Sequence, residues 1–106
     1  MISDRDGRLI IEGPMTIATA ASLAQAGAPL VAAADHTLDL AAVTTVDSAA
    51  LAVVLGYLRS AAAAGRTLTL TNPPQAFSSL AALYGVDELL CIATHSHDPK
   101  VSATQP

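Results

Sequence analysis

The sequence predicts an α/β domain in which a small parallel or mixed sheet packs against α-helices. Strand-like and helix-like segments alternate along the chain, and this order implies parallel crossover connections. The chain is 52% hydrophobic, which is enough for one continuous core, and its 106 residues are too few for two domains. We therefore expect a single domain over residues 1–95. Residues 96–106 are polar and aperiodic, and we expect them to form a mobile tail.

The first predicted strand and helix occupy the amino-terminal third. Residues 8–15 (RLIIEGPM) form an apolar segment that a Gly-Pro pair ends. A threonine then caps an alanine-rich helix over residues 16–25, and the following glycine and proline are expected to end it. Residues 30–34 are predicted to continue this helix after a bend.

The second strand and helix follow at the centre of the chain. Residues 37–40 with Val43 form the strand, and residues 44–48 are predicted to be a turn. Residues 49–64 form the best-defined helix, which Gly65 ends. Its apolar side chains recur at helical spacing and predict one core-facing stripe: Leu51, Val54, Leu55, Leu58 and Ala62.

The third strand and helix complete the pattern. Residues 66–71 alternate leucine with threonine, which is typical of a strand. An Asn-Pro-Pro sequence then interrupts the chain before a helix at residues 75–84, and residues 86–92 are predicted to form a last turn or short strand. The core-facing side chains expected on this last helix are Phe77, Leu80, Ala81 and Tyr84.

Charge and hydropathy exclude several functions. The net charge is −4 with only five lysines and arginines, so a nucleic-acid or anionic-membrane surface is disfavoured. The amino terminus is too polar for a secretory signal. The longest apolar run, residues 49–58, is far shorter than the about 20 residues that span a bilayer. We expect a cytoplasmic protein without direct membrane insertion.

Asp47 and Ser48 stand where the central helix begins. Both are preferred N-cap residues, and a capping role alone is worth about 1 kcal/mol. The alternative is that Ser48 accepts a phosphate, which would meet the positive end of the helix favourably and change the charge of a docking surface. Asp47 would oppose the added charge, so that phosphorylation would release a partner.

Small residues form a second stripe on the same helix, offset from the leucine and valine face: Ala49, Ala52, Gly56 and Ala63. One interpretation is that exposed alanine is simply the best helix former. The other is a smooth surface that a partner helix approaches closely. We favour the second, because a solvated face would ordinarily carry more charges than the single Arg59.

Catalytic and metal sites are not predicted. His95, His97 and Asp98 lie in the expected tail and lack further ligands, so we expect no metal and no cofactor. His36 is interpreted as a loop residue and Cys91 as a small buried apolar residue. A hydrolase that uses Ser48 as its nucleophile has little support, because none of the histidines is placed to act as its base.

Three sequence segments carry a family resemblance: V-D-S-A-A-L, then V-V-L-G-Y-L, then G-R-T-L-T-L. They resemble the STAS domain, a fold shared by sulfate transporter tails and anti-sigma factor antagonists. The family's Asp-Ser motif is matched by Asp47, Ser48, Ala49 and Leu51. Ala50 replaces the usual glycine, and its additional methyl group is expected to face an approaching partner and to tune partner choice.

Within this family the chain is most similar to the MlaB branch, in residues 13–19, 38–48 and 79–90. That likeness implies a non-enzymatic subunit that binds the MlaF-like ATPase subunit of an inner-membrane phospholipid ABC transporter and, through it, the membrane permease. Such a transporter maintains the lipid asymmetry of the outer membrane. The residues we expect at the partner surface are Thr45, Asp47, Ser48, Ala49, Ala52, Gly56, Arg59 and Ser79.

The sequence is compatible with a second function. The chain is also similar to anti-sigma factor antagonists, in which a kinase-like anti-sigma factor phosphorylates the residue that Ser48 matches. The stoichiometry is open too, since the alanine-rich faces of an isolated domain could form a homodimer.

Overall fold

The structure is a computed structural model that describes residues 1–86, and within them it confirms the α/β class. The strands are β1 (Ile2–Arg5), β2 (Arg8–Ile11), β3 (Gly13–Met15), β4 (His36–Asp39), β5 (Val43–Val46) and β6 (Leu68–Thr71). The helices are α1 (Ala20–Ala33), α2 (Ser48–Ala63) and α3 (Gln75–Leu83). None of these helices is both long and apolar enough to cross a membrane.

The sheet is mixed, as predicted. Its strand order is β1-β2-β4-β6, with β2, β4 and β6 parallel and β1 antiparallel to β2. A second, two-stranded parallel sheet pairs β3 with β5. Each helix follows the carboxyl end of a parallel strand, namely β3, β5 or β6. This connection brings the start of α2 close to the loop that leads into α1.

The strand β1 was not predicted, and the single strand predicted at residues 8–15 is two strands in different sheets. Polar residues occupy β1 because it is an edge strand whose second half is exposed. The tight turn into β2 places Asp6 and Gly7 at positive φ, 54° and 86°. A glycine at the second of these positions adopts that conformation without strain.

The helix α1 begins and ends later than predicted. Its N-cap is Thr19 instead of Thr16, and it continues through Pro29 to Ala33. Proline removes one helical hydrogen bond but here does not end the helix. Gly27 is buried where α1 packs against α2 and serves close contact, not termination.

The core-facing stripe of α2 was predicted only in part. Leu51 and Val54 are buried as expected, whereas Leu55 and Leu58 are partly buried and Ala62 is exposed. The residues that α2 buries are Ala50, Leu51, Val53, Val54, Tyr57 and Ala61. The core-facing side of the helix is therefore rotated toward Tyr57.

On α3 the prediction holds for the two most buried positions. Phe77 and Ala81 are buried, Leu80 is half-buried, and Tyr84 is 57% exposed, against expectation. The predictions for residues 87–106, which include Cys91 and the histidines of the tail, lie outside the described residues.

His36 is not the loop residue that the sequence suggested. It is the first residue of β4 and is buried. Its Nδ1–H donates to the Ala34 carbonyl oxygen at 2.9 Å, and its Nε2 lies 3.2 Å from Oδ2 of Asp4. The imidazole thus connects the start of β4 to the edge strand β1.

Candidate partner-binding site

Asp47 is the N-cap of α2. Its backbone is extended, with φ −134° and ψ −170°, and its Oδ1 accepts a hydrogen bond from the backbone N–H of Ala49 at 2.8 Å. The Asp47 carbonyl oxygen accepts from the N–H of Ala50 at 3.0 Å. The capping interpretation is therefore confirmed for Asp47, and Ser48 is the first residue of the helix.

The second carboxylate oxygen of Asp47 reaches a different part of the chain. Its Oδ2 accepts from the backbone N–H of Ile17 at 3.0 Å, and the Asp47 N–H donates to the Met15 carbonyl oxygen at 3.3 Å. One carboxylate thus joins the start of α2 to the loop between β3 and α1. Sequence reasoning missed Ile17, because this contact spans 30 positions. The only local signal is one isoleucine between two threonines in a polar loop.

Ile17 is held in an exposed position by this loop. Its side chain is 78% exposed, which is uncommon for isoleucine. The loop is shaped by Thr19, whose Oγ1 accepts from the Thr16 N–H and lies within hydrogen-bond distance, 3.0 Å, of the Pro14 carbonyl oxygen. The exposed isoleucine is therefore part of an ordered loop beside Ser48.

Ser48 is exposed and lies next to a helix end at which Asp47 already engages two backbone donors. The Ala49 N–H binds the Asp47 side chain, and the Ala50 N–H binds the Asp47 backbone. A phosphate on Ser48 would therefore compete with the Asp47 carboxylate for the Ala49 N–H. Phosphate acceptance by Ser48 stays a prediction.

The small-residue stripe of α2 lies outside the core, as expected. Ala52 and Ala63 are exposed, whereas Ala49 and Gly56 are half-buried. Arg59 is exposed, and its Nη2 would lie 3.9 Å from a Cβ at Gly56, so its side chain folds back over that glycine. The stripe is thus a smooth surface with one cation near its carboxyl-terminal end.

The other residues predicted for the partner surface are distributed over two further elements. Thr45 is exposed on β5, two positions before the cap of α2. Ser79 is exposed on α3, which packs against α2. Among the predicted residues, those from Asp47 to Arg59 therefore lie at the start of α2 or along it, whereas Thr45 lies on β5 and Ser79 on α3.

Ala50 does not have the role that the sequence suggested. Its side chain is fully buried in the core, at 0% exposure. The methyl group that distinguishes it from the usual glycine therefore faces the interior and does not meet a partner directly.

Metal-binding clusters are absent from residues 1–86: no group of three or more histidine, cysteine, aspartate or glutamate side chains in that range is arranged to hold an ion. His36 is buried against Ala34 and Asp4 and does not face Ser48. What the arrangement around Ser48 offers chemically is a hydroxyl, a capped helix end and a smooth exposed face.

Comparisons with known proteins place this geometry in a family. A family model described as "Mlab, STAS domain" matches residues 1–91. No curated protein matches the chain.

Several solved structures share the fold. A proposed anti-sigma factor antagonist from Thermotoga maritima superposes with a TM-score of 0.69 at 19% identity, covering 85% of this chain and 81% of that one. The anti-sigma factor antagonist SpoIIAA, in its unphosphorylated form, superposes with a TM-score of 0.58 at 10% identity, covering 84% of this chain and 96% of that one. Mglu aligns with a TM-score of 0.56 at 18% identity, covering 71% of this chain but only 20% of its own.

At these identities the structural matches show the fold alone, whereas the family model covers most of the sequence. STAS domains are mostly regulatory or adaptor modules and not enzymes. The chain belongs to the STAS domain family, in the group that the matching model describes as Mlab, STAS domain.

Proposed function

We propose that this protein is a non-enzymatic adaptor that binds the ATPase subunit of an inner-membrane ABC transporter for phospholipids. The observation that carries the proposal is the surface at the start of α2, where exposed Ser48 adjoins a smooth face of small side chains. The group name of the matching family model supports the transporter assignment. ATP binding and hydrolysis belong to the partner, and the permease is reached through it.

The composition of the α2 surface fits a protein partner. Small side chains allow another backbone to approach closely, and few long side chains must be ordered on binding. Arg59 is the one charged residue of α2, and it is exposed on this face. We therefore expect the partner to present an acidic group near Arg59 and a closely packed helix or loop near Ala52.

The first experiment is affinity purification of the tagged protein from its native host, with mass spectrometry of the retained proteins. Recovery of an ABC-type ATPase together with a membrane permease supports the proposal. Recovery of a serine kinase with a sigma factor, and of no transporter subunit, would overturn it.

Matched variants locate the surface. Ala52→Glu places a negative charge on the exposed face of α2. It is expected to weaken ATPase capture at least tenfold, because the new carboxylate must lose its water in the interface. Ala33→Glu is the control: Ala33 is also an exposed helical alanine but lies at the carboxyl end of α1, where β4 begins. Equal capture by both variants would exclude the α2 face.

Ser48 variants test the prediction that a negative charge at Ser48 releases the partner from the same surface. Ser48→Ala is expected to retain capture, whereas Ser48→Glu should reduce it, because a negative charge is added beside Asp47. Equal affinities of the two variants for the ATPase would exclude regulation by charge at Ser48.

A second function is supported by the solved structures, two of which are described as anti-sigma factor antagonists or proposed ones. In that case a kinase transfers the γ-phosphoryl group of ATP to the Ser48 oxygen. ADP leaves, and the hydroxyl proton passes to a base of the kinase. Phosphate transfer to the wild type but not to Ser48→Ala, by an anti-sigma factor from the same host, would favour this function.

A further inference from the structure

We propose that Asp47 is a positioning residue for Ile17, and that a negative charge on Ser48 weakens partner binding by releasing the loop at residues 16–19. This inference rests on the proposed function, because it assigns the loop to the same partner surface. It is carried by the Asp47 carboxylate, which joins Ala49 and Ile17, and by the exposure of the Ile17 side chain.

The Asp47 carboxylate divides its two oxygens between two elements. Oδ1 accepts from the Ala49 N–H at 2.8 Å, and Oδ2 accepts from the Ile17 N–H at 3.0 Å. Capping of α2 needs only the first of these bonds. The second bond fixes the loop, and it holds an isoleucine that is 78% exposed at a defined position.

A charge on Ser48 acts on this carboxylate directly. The two residues are adjacent, and both would seek the N–H groups of the first helical turn. The cation of α2, Arg59, is too far away to neutralise a negative charge on Ser48. Its side chain lies over Gly56, about 12 Å along the helix axis from Ser48. That separation exceeds the screening length of about 8 Å at physiological ionic strength. A charged Ser48 side chain therefore repels the Asp47 carboxylate and competes with it for N–H groups. Both effects weaken the hydrogen bond from the Ile17 N–H to Asp47.

The replacement Asp47→Asn separates the two roles of this side chain. Asparagine replaces one of the two carboxylate oxygens with an NH2 group, which donates and does not accept, so the Ala49 N–H and the Ile17 N–H no longer each have an oxygen of their own. It remains a preferred N-cap residue, so α2 should stay capped. The bond to Ile17 is then lost while the fold is retained.

The test measures backbone amide hydrogen exchange of Ile17 by NMR in the full chain. Ser48→Glu is expected to accelerate this exchange about tenfold relative to the uncharged Ser48→Gln, a factor typical for loss of one hydrogen bond to a charged group. Asp47→Asn should accelerate it similarly, and adding Ser48→Glu to that variant should have no further effect. Unchanged exchange at the buried Val54 serves as the control for folding. Equal Ile17 exchange in Ser48→Glu and Ser48→Gln would overturn the proposal.

The partner contact of Ile17 is tested separately. Ile17→Ser is expected to reduce capture of the ATPase several-fold, whereas Ile17→Val should retain it, because an apolar side chain of similar shape remains. Equal capture by the two variants would remove Ile17 from the partner surface. If no ATPase is captured by the wild type while the exchange results hold, the adaptor function fails and the coupling of Ser48 to Ile17 stands.

Discussion

Gly27 of α1 lies directly against the ring of Tyr57 of α2. A Cβ built at Gly27 would meet three atoms of the Tyr57 ring and hydroxyl at 2.4 to 2.6 Å, which is too close for any side chain. The Tyr57 hydroxyl donates to the carbonyl oxygen of Leu23, one turn earlier on α1. This contact fixes how the two long helices pack on the sheet, and it positions the helix that carries Ser48.

Gly27→Ala is expected to lower the free energy of unfolding by about 1–3 kcal/mol, because the new methyl group displaces the Tyr57 ring from a well-packed site. The matched control is Gly56→Ala on the exposed side of α2, where the closest atom is 3.9 Å away. That variant should be neutral or up to about 1 kcal/mol more stable, since alanine is the better helix former. Urea titration of both variants measures the difference, and equal stabilities would contradict the packing argument.

Burial raises the pKa of Tyr57 from 10 to about 12. A phenol that is harder to ionise in the folded state contributes stability below pH 10, and this contribution is lost as the pH rises toward 12. The loss is expected to reach about 3 kcal/mol, two pKa units at 1.36 kcal/mol each.

Tyr57→Phe should lack this part of the alkaline destabilisation, whereas Tyr84→Phe should retain it, because Tyr84 is 57% exposed. Denaturant titrations between about pH 8 and pH 12 measure the free energy of unfolding of each variant, and tyrosinate absorbance reports the ionisation of the tyrosines. An identical pH dependence in wild type and Tyr57→Phe would refute the role of this phenol.

Asp39, the last residue of β4, binds Arg8 at the start of β2 and Asn72 just after β6, and its pKa is lowered by hydrogen bonds. The strongest comes from the Ala41 N–H, followed by those from the side chains of Asn72 and Arg8. Because the ionised form is favoured in the folded state, this stability is present above about pH 4 and is lost as the pH falls through the lowered pKa.

Asp39→Asn is therefore expected to be about 1–3 kcal/mol less stable than the wild type at neutral pH, and the difference should narrow in acid. Urea titrations at about pH 7 and pH 2.5 test this. Arg8→Gln is the control: the Arg8 side chain is 51% exposed, so its ion pair should be worth at most about 1 kcal/mol. A difference between Asp39→Asn and wild type that stays constant across the pH range would contradict the titration of Asp39.

The sequence was sufficient for the α/β class and for a helix cap at Asp47 or Ser48, because both follow from local patterns. The sequence was insufficient where a contact between distant residues determines the local structure. Gly27 and Pro29 predicted the end of a helix, yet the glycine is required by Tyr57 thirty positions away and the helix continues past both. The bond from Asp47 to Ile17 was missed for the same reason, since neither residue type at its own position indicates the other.

For α2 the sequence predicted the helix correctly but not its buried face. The predicted orientation was wrong by about one residue. Counting the most apolar side chains favoured Leu55, Leu58 and Ala62. The structure instead turns Tyr57 and Ala61 inward, at 1% and 2% exposure, and leaves Ala62 exposed. The reason is the distant contact of Tyr57 with Gly27 and Leu23 of α1, which sets the orientation of α2 and which the hydropathy of α2 alone does not register.

Adjacent alanines provide a direct test of this orientation. Ala61→Lys is expected to lower the free energy of unfolding by at least about 3 kcal/mol, because it forces a long cationic side chain into the core. Ala62→Lys should change it by less than about 0.5 kcal/mol, since that side chain extends into solvent. Thermal and urea unfolding of the two variants measure the contrast. The reverse order of stability would restore the stripe predicted from the sequence, and it would also move Ala52 and Ser48 relative to the surface on which the adaptor function depends.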